Sequence, residues 1–595
     1  MNKKQNQLLG WLLISALFVG YLYFFGPKPK EKEEIAIKSP PQKIVEKSAI
    51  DTFKEALTTP VQKEENQIVL ENDLMYVTFS TQGGHIKEVT LKKYKNYDGN
   101  PLVLLNKSSK ARFLLPTADG AIDTQACTFE VVEPTLSKEE KQSGKQSIVF
   151  LCYLDSEKKR FIKHTFSLKP GRYTVEHQVE TAGITWDDLS EKKPTFQWYQ
   201  EMFRLEKDTV NSRREATVYY HQAHNNKVTY LNATQSKEQV KKLDKPLTWV
   251  TANQKFFTAG IASSVPFQGG EMILYPLQGD DECLKKVGMS LTLDSTKVLS
   301  PEQNIEADFT LYFGPNKYDC LYGVGSKFEE NYYLGITPFR QITKYLLLPF
   351  TDYLSQYIEH YLLVLLILLL ILTLLQLPFT YKNYILEIQQ QALAPFIKRI
   401  KERYDQDPMQ AQIQESKLKS KAGISMLTSF IGMPLQIAIF IVSMNLVRYH
   451  IGFRQSTFLW MEDLSTYDSL IVLPFHIPLL GKHISIVSLI ASFVMMLPAL
   501  LKNRQNESTA EGAMLQYMLP VILFFALNKA SAAFNIYRIL SSLISFIPKI
   551  LFKFTIKKEP IQQAVLDKLM TKEKEGASGP PRAQKRLTQR QKKDK

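Results

Sequence analysis

Cysteine is scarce in this chain: Cys127, Cys152, Cys283 and Cys320 are the 4 in 595 residues, with no CxxC pair and no His-rich spacing beside them. Structural zinc needs several such ligands at short spacing, so no metal site is expected. All four lie between the first and second apolar runs, and two readings stay open: one or two disulfides in an oxidising compartment, or small buried thiols. Acidic residues are missing from the long apolar runs, which removes the usual carboxylate for proton coupling. His85, His164, His177, His221 and His224 show no catalytic spacing with a carboxylate, so no enzyme, catalytic residue or cofactor is expected. A cleavable leader is also unsupported, because no A-x-A motif follows the N-terminal apolar stretch and no cysteine lies near its end.

What the chain does have is apolar residues spread very unevenly. Its mean hydropathy of −0.18 suits a soluble protein, yet residues 361–377 are almost wholly Leu, Ile and Val. As a helix that run is long enough to cross roughly 30 Å of hydrocarbon. Residues 1–26 place Lys3 and Lys4 before an apolar stretch, the pattern of an uncleaved signal-anchor helix. Residues 27–67 are rich in Lys, Glu, Pro and Gln and predict a flexible tether. From 68 to 320, short alternating runs separated by Gly, Asn, Asp and Pro predict a large antiparallel β-sandwich. Phe339, Ile342, Tyr345, Leu346, Phe350, Tyr353, Leu354 and Tyr357 then suit a helix at 338–360 lying along a membrane interface.

Residues 361–552 contain five candidate spans, at 361–377, 426–447, 484–501, 514–527 and 533–552, with a helical hairpin at 381–422 around the Asp405 to Pro408 turn. The expected fold class is therefore an α+β membrane protein: an outer β-sandwich plus a six-span helical bundle with a cytoplasmic hairpin. Net charge is +15, and the Lys and Arg concentrated in 381–421, at Lys502 and Arg504, and in the basic tail 553–595 place those segments in the cytoplasm. Both termini are then cytoplasmic and the β-domain lies outside.

This order of parts resembles the YidC branch of the YidC/Oxa/Alb insertase family. Locally the likeness rests on Phe79 to Gly84 (FSTQGG), Phe313 to Tyr318 (FGPNKY), Leu377 to Lys382 (LPFTYK), Phe453 to Trp460 (FRQSTFLW) and Asp463 to Asp468 (DLSTYD). The resemblance implies a membrane protein insertase and chaperone of the bacterial inner membrane, working through a hydrated groove. Members carry an Arg or Lys in the second span, where this sequence has Thr373. The entry to the third span, Ile424 to Phe430, also departs from the family pattern.

The residues themselves suggest where the charge has gone. An ionisable side chain inside a span costs roughly 2.5 to 3.5 kcal/mol on insertion scales and normally faces a bundle interior or a water cavity. Arg538 is such a residue. Asn535, Arg538, Ser542 and Ser545 share one helical face, Ser429, Gln436 and Ser443 recur every seven residues on the third span, and Thr373, Gln376 and Thr380 do so at three and four. Together with Tyr537, three polar stripes are expected to enclose a groove for the client polypeptide. Polar residues that merely hydrogen-bond between helices explain the same pattern about as often.

Lys398, Arg399, Lys401 and Arg403 on the hairpin are candidates for cytoplasmic recruitment of nascent chains, and a solvated basic face is the plainer reading. The tail from Lys585 to Lys595 suits ribosomal RNA by counterion release or simple positive-inside anchoring. The implied partners are nascent membrane proteins and the phospholipid bilayer, with the Sec translocon and ribosome as further candidates and no DNA. A secondary transporter or lipid flippase is the alternative function, since polar stripes also line substrate paths.

Overall fold

The computed structural model describes residues 48–57, 65–117, 120–133, 140, 142–185, 189, 193–277, 279, 282–294, 304–332, 334–424, 432–477, 480–502 and 521–578. The expected signal-anchor, Ser429, most of the span expected at 514–527 and the tail from Lys585 fall outside them. The chain divides into a β-unit within residues 27–333 and a helical unit comprising 334–448 and 452–595.

Every named strand pair in the β-unit is antiparallel. A nine-stranded sheet is centred on Thr174–Thr185 paired with Asn304–Pro315, and a six-stranded sheet on Thr195–Phe203 paired with Cys283–Thr292. Aromatic rings bridge the two: Phe113 and Phe196 of the smaller sheet meet Phe309 of the larger at centroid distances of 5.6 and 6.1 Å, and Trp198 meets Phe313 at 6.0 Å. A four-stranded sheet begins the unit at Gln67–Glu71, and its Phe79 packs on Phe166 at 4.9 Å. Burial of such rings is the main source of cohesion between the sheets. All four cysteines are thiols, Cys152 and Cys283 buried and Cys127 and Cys320 half-buried, so no disulfide staples this large core.

The stretch expected as a tether carries a helix, α1 (Ala49–Ala56), docked on the smaller sheet. Ile50, Phe53 and Leu57 form an apolar stripe at i, i+3 and i+7; Ile50 and Leu57 are buried with Tyr199 and Ile273. Phe53 lies over Gly288, where a Cβ would come within 2.9 Å of its ring. Glu238 accepts from the N–H groups of Ala49 and Ile50 at 3.1 and 2.8 Å, satisfying donors a helix start leaves open. A charged composition hid a three-residue stripe that was enough to dock the segment.

In the helical unit a turn of α-helix (Phe339–Ile342), a π turn (Thr343–Leu347) and α2 (Leu348–Ser355) run together. Thr343, Lys344 and Thr351 point inward, whereas Ile342, Tyr345, Leu346, Tyr353 and Tyr357 are exposed. An apolar outer face of this kind suits lipid contact. Next come α3 (Tyr361–Arg403), α4 (Pro408–Lys421), α5 (Gly432–Tyr449), α6 (Ile486–Lys502), α7 (Ala532–Ile544), α8 (Phe546–Thr555) and α9 (Lys558–Ser578). At 43 residues α3 is about 65 Å long, so the expected span and the first arm of the hairpin are one unbroken helix despite Pro378 and Pro395. Among the described residues, α3 and the continuous run Ala532–Thr555 are the helices long and apolar enough to cross a bilayer, while Pro434–Tyr449 and Ile486–Leu497 are shorter apolar helices.

The hairpin closes where Asp407 caps α4, accepting from the Gln410 N–H at 3.0 Å, with Pro408 opening the helix. At its other end Gly423 (φ +78°) makes a Schellman turn: its N–H reaches the Ser420 carbonyl at 3.1 Å, and the Ile424 N–H reaches Lys419 at 2.9 Å. The segment after Phe552, expected only as a basic tail, contains α9. Its Val565 and Leu569 share a core with Leu393, Ala422 and Ile424.

Between α5 and α6 two aspartates organise the loop. Asp463 accepts from the N–H groups of Gln455 and Ser465 at 3.0 and 2.8 Å. Asp468, buried, accepts from Trp460 Nε1 (3.1 Å) and from the N–H groups of Leu470 (3.1 Å), Ile486 (2.9 Å) and Val487 (3.2 Å). The last two are orphan donors at the start of α6, where a carboxylate also complements the helix dipole. Asn528 ties the same loop down, accepting from the Ser485 N–H at 2.8 Å and donating to the Leu480 and His483 carbonyls at 3.0 and 2.9 Å.

Candidate functional site

α3, α5, α7 and α8 enclose a cleft of about 370 Å³. The break between α7 and α8 at Ser545 follows from Pro548, which cannot donate to the Ile544 carbonyl. Of the sequence-predicted residues, Thr373, Gln376, Gln436, Tyr537, Arg538 and Ser542 line the cleft together, as do Thr380 and Ser545. Two others do not: Asn535 is fully buried, donating to the Leu527 carbonyl at 3.1 Å, and Ser443 is fully buried against Tyr537. Both sit on the expected helix but one turn too deep among neighbouring side chains to face open space. Ser429 lies outside the described residues.

The hydrogen bonds bear on the two readings of the polar stripes. Thr373 Oγ1 donates to the Leu369 carbonyl at 2.8 Å, Gln376 Nε2 to Leu372 at 3.1 Å and Thr380 Oγ1 to Gln376 at 3.0 Å. Ser541 and Ser545 likewise donate to the carbonyls of Arg538 and Ser542, at 3.1 and 2.6 Å. Each stays within its own helix, so these groups are not interhelical ties. Their oxygen lone pairs remain directed at the cleft, where water can use them.

Arg538 is half-buried. Its guanidinium lies 5.0 Å over the Phe440 ring, and Nη2 is 3.4 Å from Met495 Sδ. Among the described residues no carboxylate pairs with it. A cation–π contact and a soft sulfur hold the head in place without neutralising it. Lys549 also lines the cleft, and Glu387 is the carboxylate among the lining residues, so two cations face one anion.

Asn383, Tyr384, Glu387 and Lys549 also line the cleft, beyond the sequence-predicted set. Two of them carry a sequence signal: the spacing of Thr373, Gln376 and Thr380 continues on α3 to Asn383 and Glu387, past the end of the apolar run. Lys398, Arg399, Lys401 and Arg403 are all exposed or half-exposed at the end of α3, where cations complement the helix dipole.

In the β-unit, three histidines with no shared spacing in the sequence come together. His85, His164 and His177 converge around a cavity of about 30 Å³. His164 and His177 have ring centroids 5.2 Å apart, and His164 Nδ1 contacts the Gly84 carbonyl at 3.0 Å. Burial holds His85 and His164 down at about 4 and His177 well below the usual imidazole range. Arg112 is the other charged or titratable residue lining this cavity, and no carboxylate is among its lining residues. His221 is engaged separately by Thr248 and Asn226, at 2.6 and 2.9 Å.

Comparison with known proteins accounts for both units. Residues 67–348 match the YidC periplasmic domain and residues 353–559 match the 60Kd inner membrane protein family. The membrane protein insertase YidC of Amoebophilus asiaticus is 30% identical over 566 residues, covering 94% of each chain. The chain belongs to the YidC family of membrane protein insertases. YidC of Porphyromonas gingivalis is 28% identical over 611 residues, again covering 94% of each chain. A crystal structure of an active YidC insertase aligns with 82% of this chain and 93% of its own, at 14% identity and a TM-score of 0.31, too low to carry argument. YidC membership makes this a bacterial inner-membrane protein with a periplasmic β-domain, whose clients are membrane proteins entering lipid. The family is one of insertases, not enzymes, and it does not favour the transporter or flippase alternative.

Proposed function

We propose that the chain inserts transmembrane segments through the cleft of α3, α5, α7 and α8, with Arg538 supplying the positive charge that Thr373 does not. The observation that carries this reading is a guanidinium without a carboxylate partner among the described residues, in a polar cleft whose hydroxyls are bonded within their own helices. Six spans cross the membrane, with both termini, the hairpin and the tail in the cytoplasm, and the cleft opens to cytoplasm and lipid.

The chemistry is desolvation rather than bond making. A hydrophilic outer segment of the client enters the cleft partway, exchanging bulk water for Gln376, Gln436, Ser542 and the water they hold, so less bare hydrocarbon must be crossed. Its apolar helix meanwhile slides along α3 and α7 into lipid, gaining about 25 cal/mol for each Å² buried. Lys398, Arg399, Lys401 and Arg403 meet the emerging chain, and the tail adds charge for the ribosome; the Sec translocon is a further partner.

A photoreactive residue at Leu372 or Tyr537, present while a single-span client is synthesised, tests this. Crosslinks to the client's apolar helix are expected from both positions. Crosslinks from neither, with normal insertion, would sink the proposal.

A further inference from the structure

From Ser469 to Gly481 the sequence holds no Asp, Glu, Lys or Arg. Within and just after this stretch lies a two-stranded ribbon, Ile471–Ile477 paired with Gly481–Ile484, that joins no other sheet among the described residues. Leu470, Ile471, Val472 and Phe475 are exposed, Val472 at 71%. Edge strands in contact with water normally carry charges or are covered, and a two-stranded ribbon is marginal by itself. An uncharged apolar ribbon at the surface therefore needs something to cover it.

Height along α6 identifies the cover. The loop before α6 is at the outer end of the bundle, because its Phe453 meets Tyr361, the first residue of α3 after the periplasmic domain, at 6.0 Å. Residues 486–501 carry no charged side chain, and Lys502 follows at the cytoplasmic end. From Lys502 back to Ile486 the helix rises about 24 Å, about 6 Å less than the hydrocarbon thickness of roughly 30 Å, so Ile486 stands below the outer edge of the acyl chains. The ribbon stays close to that level. Asn528 accepts from the Ser485 N–H at 2.8 Å and donates to the Leu480 and His483 carbonyls at 3.0 and 2.9 Å, so the inner strand is pinned at both ends to one residue, and Ser485 adjoins Ile486. This puts the ribbon at the boundary of acyl chains and headgroups. It runs directly into α6, whose Leu489, Ile490 and Phe493 are exposed. Lys482 and Lys529, both exposed, stand beside its tip, with Lys529 Cε 3.8 Å from where a Cβ on Gly481 would be. Apolar residues bordered by cations suit a segment lying in a bilayer interface.

We propose that this ribbon inserts into the outer leaflet of the bilayer, with Leu470, Ile471, Val472 and Phe475 among the upper acyl chains. Its open strand edge stays at headgroup level, where water satisfies the backbone groups that hydrocarbon would leave unpaired. The assignment rests on α6 crossing the membrane, as in the function proposed above. Because Asn528 also precedes α7, the ribbon holds the outer end of that helix at the interface and so fixes the depth of Arg538.

Depth-dependent quenching tests the proposal. The full chain, with an environment-sensitive fluorescent amino acid encoded at Val472 or at Phe475, is reconstituted in vesicles of phosphatidylethanolamine and phosphatidylglycerol. Both side chains are exposed, so the label displaces no packed group. The quenchers are iodide in the water and lipids carrying a nitroxide near the top or near the end of the acyl chain. The nitroxide near the top is expected to quench both labels most and iodide least, for a depth of about 5 to 10 Å into the headgroup and acyl boundary. A label at the exposed Leu370 of α3 is the deep reference, quenched best by the nitroxide near the chain end. Ile471→Asp with Phe475→Asp is expected to shift the Val472 label towards iodide. Quenching by iodide alone would overturn the proposal by placing the ribbon in water. Protection from all three quenchers would overturn it in favour of a second copy or another polypeptide covering the ribbon. Either failure, with Leu370 behaving as expected, concerns the ribbon alone and leaves the crosslinks at Leu372 and Tyr537 untouched.

Discussion

Removing the charge of Arg538 should harm insertion in proportion to the negative charge of the client segment that must cross. Opposite unit charges 4 Å apart attract by about 1 kcal/mol in water and about 4 kcal/mol at an effective dielectric of 20, and a hydrated cleft lies between these limits. Arg538→Ala is thus expected to slow insertion of a client with one acidic outer residue by about fivefold or more, approaching a thousandfold at the protein-surface limit. The packing of the side chain on Phe440 and Met495 is weak and involves neutral groups, so its removal gives no client dependence. Three comparisons separate charge from packing. Arg538→Lys should restore most activity, Arg538→Met should not, and Thr373→Arg added to Arg538→Ala should rescue, because both positions line one cleft. The assay is insertion into proteoliposomes of a single-span client carrying zero, one or two aspartates in its outer segment. Equal loss for all three clients, or full activity of Arg538→Ala at normal protein level, would refute the charge argument.

The β-unit should lose stability in mild acid. His85 and His164 titrate at about 4 in the folded protein against about 6.5 unfolded. Because the folded values are depressed, the stability they confer is complete above about 6.5 and falls as pH drops towards 4, by roughly 2 kcal/mol per imidazole between pH 7 and 5; urea unfolding followed by tryptophan fluorescence reads this, and His164→Phe should flatten the profile. Asp468→Ala strands the N–H groups of Leu470, Ile486 and Val487 and the Trp460 indole, costing about 2 to 4 kcal/mol and visible as a lower melting temperature in detergent. Gly452→Ala would put a Cβ 2.0 Å from the Tyr361 ring; overpacking of about 1 to 3 kcal/mol is expected, relieved if Tyr361 is also changed to Ala.

Legibility in the sequence followed the range of the interaction that decides each feature. Alternation along single strands is local, so an antiparallel β-domain could be read, whereas the pairing of Thr174–Thr185 with Asn304–Pro315 at the centre of its larger sheet depends on residues more than a hundred positions apart. The same distance explains the histidines: His85 comes from the first sheet, and His164 and His177 lie on neighbouring strands, so nothing in their spacing announces a cluster. The polar stripes were legible because helical periodicity is local, and six of the nine groove candidates do line one cleft. The periodicity could not say how deep each residue sits, which is why Asn535 and Ser443 are buried beside the cleft rather than in it.

Docked segments with little apolar content were read wrongly for a different reason. In α1 and α9 polar and charged residues outnumber the few that touch a core, so average composition points to solvated chain. Ile50, Phe53 and Leu57 in one stand at intervals of three and four, and Val565 and Leu569 in the other at an interval of four. A surface helix needs only such a narrow stripe when a preformed core receives it, because packing rather than intrinsic propensity supplies most of its stability. Periodicity, not mean hydropathy, is therefore the quantity to test in basic segments that follow a last span. In this chain that distinction separates a loose tail from a helix that packs on the hairpin through Val565 and Leu569.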